Sequence, residues 1–210
     1  YHPSNSYIYL YGNMDMEEKL AFLDEHYLSH FDYLDVDSVI QEQKAFGACQ
    51  DVTLEYPVAE NEGEEDNTYL SYNMVVGNAA DSQMAMAFEV LDYALLSAPG
   101  APLKQALLDV KAGKDVYGSY DDGILQPYFT VIAKGSNPDR KEEFVSVIRQ
   151  VLGDIVKNGI DRKAVEAGIN YFEFRYREAD FSSYPKGLMY SLDILGDWLY
   201  EKGNPFAQVQ

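Results

Sequence analysis

Apolar positions along the chain fall into two periods, and the switches between them outline the fold. Residues 6–11 (SYIYLY) alternate: Tyr7, Tyr9 and Tyr11 face one way, Ile8 and Leu10 the other. This predicts a strand, turned by Gly12-Asn13. Asp15, with Glu18 three residues on, has capping-box spacing, and Leu20, Leu23, Tyr27 and Phe31 then recur at helical spacing. A helix ending near Asp32 is predicted. Residues 35–50 show no clean period and read as a linker with at most a short helical turn.

A second unit follows. Residues 51–58 (DVTLEYPV) and 68–76 (TYLSYNMVV) read as strands joined by an exposed acidic loop, residues 59–67 (AENEGEEDN). That loop lacks the ligand spacing of a calcium loop and reads as solvated. Asp81 opens a helix with Met84, Phe88, Leu91 and Leu95 on one stripe, broken at Ser97-Ala98-Pro99-Gly100. Pro102 starts a shorter helix carrying Leu103 and Leu107. Residues 115–120 and 126–134 predict a strand pair joined near Asp121-Asp122-Gly123. Three helices close the chain. Their predicted inner stripes are Phe144, Ile148, Val151 and Ile155; Val165, Ile169, Phe172 and Tyr176; and Leu188, Leu192, Leu195 and Leu199. Gly159 stops the first, Asp161 caps the second, and Gly203-Asn204-Pro205 ends the third. Hairpins dominate, so the expected fold class is α+β, a mainly antiparallel sheet with helices packed on one face. A doubly wound nucleotide fold is not expected.

Composition adds a sign to this outline. Lys and Arg number 16 against 35 Asp and Glu, a net charge of −19, while 47% of residues are hydrophobic. The chain can build a core. Its surface repels phosphate backbones and anionic membranes, so nucleic acid and membrane are not expected partners, whereas a basic peptide would be attracted. The plainer reading of the same charge is solubility. Cys49 is the sole cysteine, which rules out an internal disulfide or a four-cysteine zinc site. No signal peptide or apolar run of spanning length is visible, and the expected location is cytoplasmic. The chain opens at Tyr1 already reading as strand, so it is expected to be a piece of something longer.

The opening YHPSNSYIYLYGNMDMEEKLAFLDEHYLSHFD resembles the segment that closes the first domain of insulinase-like zinc metallopeptidases of the presequence-protease type (pitrilysin clan). The shared features are a Tyr-His-Pro-Ser-Asn strand (residues 1–5), a Tyr-Gly-Asn turn (11–13) and a helix ending in Tyr-Leu-x-x-Phe (27–31). APLKQALLDV (101–110) and FRYREADFSSYPKGLMY (174–190) are similar to the family's second domain. The resemblance implies four homologous domains of the LuxS/metallohydrolase-like α+β type, arranged as two bowls that enclose unfolded peptides. Zinc would sit in the first domain on an H-x-x-E-H motif, whose Glu activates a zinc-bound water. The second domain would carry no metal and form chamber wall. By that resemblance residues 1–33 are the end of the preceding catalytic domain, 34–50 a linker, and 51–210 the non-catalytic domain.

No H-x-x-E-H or H-E-x-x-H occurs here, and the histidines are His2, His26 and His30. No catalytic, cofactor-binding or metal residue is therefore assigned. Zinc belongs to the parent protein, and the partners implied are its other domains and unfolded, basic peptides. The alternative is a zinc-less partner subunit or a stand-alone peptide-binding or assembly module. Four local features invite chemistry and have simpler readings. His26 and His30 could share a helix face, but Tyr27 and Ser29 break both zinc-helix orders, so a packed or solvated pair is favoured. Asp121-Asp122 beside Gly123 reads as a turn rather than a carboxylate dyad. Ser182-Ser183 lacks a neighbouring base. Arg175, Arg177, Tyr184 and Lys186 could contact a peptide carboxylate, yet pairing of the arginines with Glu173, Glu178 and Asp180 is favoured.

Overall fold

The computed structural model describes residues 2–61, 63–79, 81–178, 181–200 and 204–206. Two compact units are present, one formed by 1–42 with 181–210 and the other by 43–180.

The second unit holds the sheet. Strands β1 (Thr68–Val75), β2 (Asp115–Asp121) and β3 (Tyr128–Ser136) lie in the order β1-β3-β2, all antiparallel. Central β3 is the most buried, because it alone has a neighbour on both edges. Alternation divides the sheet's faces. Leu70, Tyr72 and Met74 stand opposite Ala133, Val131 and Phe129, which in turn face Val116, Gly118 and Tyr120 on β2. This face meets helices α2 (Ser82–Asp92) and α3 (Pro102–Asp109) at β2 and α4 (Lys141–Asn158) at β1. Leu103, Leu107, Phe144 and Ile148, all at predicted stripe positions, are essentially inaccessible to solvent. At about 25 cal/mol per Å2 of apolar surface, each buried side chain of this size is worth roughly 2–3 kcal/mol. The opposite face is polar in part: Thr130 Oγ1 donates to Asn73 Oδ1 at 2.6 Å, and Ser71 Oγ to the same oxygen at 3.0 Å. The α+β class, with its antiparallel sheet and one-sided helices, is as the pattern predicted.

Caps follow the sequence. Asp81 Oδ1 accepts from Met84 N at 2.9 Å, Asp161 Oδ1 from Lys163 N at 2.9 Å, and Gly159 ends α4 at a φ of 85° that favours glycine. Helix α5 (Arg162–Glu178) follows.

Six expectations need correction. The resemblance implies strand at residues 1–5, but Pro3–Asn5 form a 3-10 turn, with proline at its first position. Residues 6–11 and 51–58 alternate as strands do, but neither joins a ladder among the described residues. The helix from Asp15, α1 (Met16–His26), stops six residues early, where Tyr27 leaves helical geometry and a separate 3-10 turn spans Leu28–His30. Ser29 Oγ donates to the Glu25 carbonyl at 3.3 Å, satisfying an acceptor that a continuing helix would have used. On α5, Ile169 and Tyr176 of the predicted stripe are about half exposed, while Gly168 is buried against Val90 and Tyr93. On α6 (Lys186–Leu199), Leu188, Leu192 and Leu199 are exposed, and Ile194 and Asp197 are buried instead. Gly203, expected to help end α6, lies outside the described residues.

In the first unit, the extended segment 6–11 rests its tyrosines on α6. Tyr7 meets Trp198 with ring centroids 4.8 Å apart, and Tyr11 meets Tyr190 at 6.0 Å. Gly187 makes room for this: a Cβ there would stand 2.2 Å from Tyr11 Cδ1.

Candidate functional site

The histidine pair is separated by the local fold. His26 is the last residue of α1 and its ring lies 4.7 Å from that of Phe22, while His30 sits in the following 3-10 turn. The four-residue spacing therefore does not lie on one continuous helix. His2 accepts from Ser4 N through Nδ1 at 3.2 Å, and its ring meets Phe31 edge-on. Among the described residues no three His, Cys, Asp or Glu side chains converge as a metal site. These residues do not fit the zinc centre that the resemblance implies for the parent, and no step through zinc is derived for this chain.

Asp121 ends β2 and serves the turn. Its Oδ1 accepts from Gly123 N at 3.1 Å and its Oδ2 from the Tyr128 hydroxyl, also at 3.1 Å, across the strand pair. That carboxylate pushes the Tyr128 hydroxyl's pKa above its ordinary value. Ser182 adopts a φ of 57° in the turn before α6. Arg177 pairs with Glu173 at 2.5 Å, one helical turn apart. Arg175 and Arg177 belong to one unit and Tyr184 and Lys186 to the other, so the basic and aromatic cluster is not one site within either unit. Asp180, a predicted partner, lies outside the described residues.

One chemically unusual group escaped the sequence reading. Helix α2 runs on into a wide π-turn, Tyr93–Ser97, so that Asp92 sits at the junction. Its Oδ1 is buried and has no hydrogen-bond partner, while Oδ2 accepts from Ser97 Oγ at 3.3 Å. Burial pushes its carboxyl pKa up; the Ser97 hydroxyl opposes this more weakly. The cause is close packing against β2. A Cβ at Gly118 would meet Leu96 Cδ1 at 2.3 Å, Asp92 Oδ1 at 2.7 Å and the Thr130 carbonyl oxygen at 2.8 Å. A glycine inside a strand was the available signal, since it marks close approach of a neighbour. Wide turns of this kind recur at functional sites; here the side-chain partner of Asp92 is the Ser97 hydroxyl, its other oxygen is unsatisfied, and the group reads as strain within the core.

A shallow open groove borders that turn, lined by Ser97, Ala98, Pro99, Gly100, Lys104 and Leu108 among others. Its cation is engaged: Lys104 Nζ lies 3.2 Å from Asp115 Oδ1. Lys104 and the Val116 N–H together hold the Asp115 carboxyl below its ordinary range. Of the residues singled out by sequence, Asp121 and Ser182 thus lie in turns and Arg177 in an ion pair.

A family model described as the peptidase M16 inactive domain matches residues 1–172. The chain belongs to that family. An inactive peptidase domain agrees with the reading of this chain as non-catalytic, and the resemblance to presequence-protease-type peptidases holds. Over its full length the chain is 45% identical to Protein HypA of Clostridium perfringens, 22% of which it covers. It is 31% identical to presequence protease 1, chloroplastic/mitochondrial, of Arabidopsis thaliana, again over the whole chain and 20% of that protein. It is 26% identical to the mitochondrial presequence protease of Xenopus laevis over 98% of the chain and 20% of the relative. The chain therefore spans about a fifth of the length of these relatives. Among solved structures, the inactive peptidase domain of a candidate zinc protease from Bordetella parapertussis superposes with a TM-score of 0.52. It is 12% identical and covers 68% of this chain and 79% of that one, a likeness of fold.

Proposed function

We propose that this chain is a non-catalytic wall domain of a zinc-dependent metalloendopeptidase, helping to enclose unfolded peptides that the catalytic domain of the same polypeptide cleaves. The observation that carries the reading is the end-to-end similarity, at 31% identity, to a presequence protease five times its length. Its domain layout is residues 1–33 as the end of the preceding catalytic domain, 34–50 as linker and 51–210 as the wall domain. Zinc and the water-activating Glu are supplied outside these 210 residues. The partners are the parent's other domains and unfolded peptides, basic ones preferred on account of the −19 charge. No described helix is long and apolar enough to cross a membrane. The cytoplasm is our reading of its location; the plant and frog relatives are named for organelles, and fractionation of the source cells decides between them.

The test has two arms. The chain alone, with added zinc and unstructured peptides, is expected to show no chelator-sensitive turnover. The full-length protein is expected to cleave the same peptides and to lose activity to a chelator. Turnover by the chain alone, or chelator-insensitive cleavage by the parent, overturns the reading.

A further inference from the structure

Residues 51–58 have the pattern of a strand and no strand partner among the described residues. Val52, Leu54, Tyr56 and Val58 alternate along the sequence, as one face of a strand would, and are 70%, 85%, 49% and 38% exposed. No backbone group of 52–58 makes a hydrogen bond to another described residue. Yet the segment is tethered. The Asp51 carboxylate pairs with Lys141 on α4, the Tyr56 hydroxyl donates to the Asn67 carbonyl, and the Tyr56 ring meets Tyr69 edge-on at 5.9 Å. Just upstream, Gln43 N donates to Gln126 Oε1 at 2.6 Å, and Gln126 Nε2 donates back to the Gln43 carbonyl at 3.1 Å. A stretch of strand pattern tethered at both ends, whose backbone bonds no other described residue, offers its amides to another strand. Its two edges differ. Successive residues point their backbone groups to opposite sides, so Pro57, lacking an N–H, spoils the edge shared by 53, 55 and 57. The edge of 52, 54, 56 and 58 is intact.

We propose that residues 51–58 are a docking strand. In the parent protein they pair, through the backbone of Val52, Leu54, Tyr56 and Val58, with a sheet edge supplied by the same polypeptide outside these 210 residues. This rests on the reading of the chain as one domain of a longer peptidase. The occupant is argued from length and charge. Relatives similar over the whole chain carry about four-fifths of their length beyond it, ample to cover this apolar face. A second copy is disfavoured, since two chains of −19 repel. The segment itself carries only Asp51 and Glu55, and Asp51 is already neutralised, so nothing in it selects a basic peptide over an internal strand.

The experiment uses the full-length protein. Hydrogen exchange is followed over residues 51–58, and a photo-cross-linking residue replaces Leu54, with the cross-linked peptide identified by mass spectrometry. The expected result is exchange at least about a hundredfold slower than in an unstructured peptide of the same sequence, independent of protein concentration. The cross-link should reach a strand of the same molecule outside residues 1–210. Leu54→Pro should abolish the slow exchange there while leaving that of β1 and β3 unchanged. Free exchange of 51–58, or a cross-link within the 210 residues or to a second copy, overturns the proposal. So does protection that appears only after an unfolded peptide is added. Chelator-sensitive activity of the same samples reports separately on the peptidase reading, so the two can fail independently.

Discussion

Adding one methyl group at Gly118 should be among the costliest small changes the core can suffer. Three atoms stand where it would go: Leu96 Cδ1 at 2.3 Å, Asp92 Oδ1 at 2.7 Å and the Thr130 carbonyl oxygen at 2.8 Å. Ordinary carbon contacts lie near 3.5–4 Å. Thr130 is backbone of the central strand and cannot retreat without disturbing its pairing with Asn73 or Ser119. Leu96 is 1% exposed within the π-turn, so it has little room to rotate. Overpacking of this kind costs about 1–3 kcal/mol, and two immobile obstacles argue for the upper end. Against this, replacing glycine removes about 0.4–1 kcal/mol of unfolded-state entropy. The clash wins, leaving a net loss of about 2 kcal/mol. With a urea slope of about 2 kcal/mol/M, Gly118→Ala should lower the unfolding midpoint by about 1 M. Leu96→Ala alone should cost about 2–5 kcal/mol as a cavity. In the double variant the methyl occupies part of that cavity, so the summed losses should exceed the observed one by at least about 1 kcal/mol. Circular dichroism of the purified chain in urea measures all three variants. A neutral Gly118→Ala, or strict additivity in the cycle, would refute the packing argument.

Asp92→Asn should stabilise the chain by about 1 kcal/mol at neutral pH, because an unsatisfied buried acceptor no longer carries charge. Because burial raises this group's folded-state pKa, its contribution is fully present below the ordinary carboxylate pKa and is lost as pH rises through the folded value. Urea midpoints taken from pH 4 upward should fall less steeply in the Asn variant, and equal slopes would contradict the assignment. Gly187→Ala should change overall stability by less than about 1 kcal/mol, since Tyr11 is half exposed and can swing away while the helix gains propensity. It should nonetheless free residues 6–11, seen as faster proteolysis there; unchanged cleavage would show that Tyr11 does not hold the segment on α6. In the full-length protein, basic peptides should show about a tenfold higher kcat/KM than matched neutral ones at low ionic strength, an advantage that salt erodes. No advantage at low salt, or none lost when this domain's carboxylates are neutralised, would leave the acidic surface a solvated one.

What sequence made legible follows a physical division. A stripe at period 3.6 reports burial where only one face of a helix is apolar, as with Leu103 and Leu107 on α3 or Phe144 and Ile148 on α4, all fully buried. Helix α5 is different: Tyr171 and Phe174 lie on another side from Ile169 and Phe172, so apolarity alone does not select the packed face. Contact with Val90 and Tyr93 at Gly168 does. Alternation likewise reports an extended chain but not its ladder, which depends on partners far away in sequence. Residues 6–11, 51–58 and 68–75 all alternate, yet among the described residues only the last has a strand neighbour, β3.

The candidate site divides in the same way. Motif spacing could say what this chain lacks, because a zinc helix demands particular residues at fixed intervals, and His26-Tyr27-Leu28-Ser29-His30 does not meet them. It could not see Asp92, an ordinary acid in an ordinary amphipathic stretch, whose peculiarity arises only when a π-turn carries it under Gly118. The same holds for residues 51–58. Their alternation is that of a strand, but unlike β1 they join no ladder among the described residues. On the docking-strand proposal, residues 51–58 meet a sheet edge in the part of the relatives' length that lies beyond this chain. The apolar face of Val52 and Leu54 is therefore better explained by what a longer polypeptide would place on it than by any role within the unit that carries it.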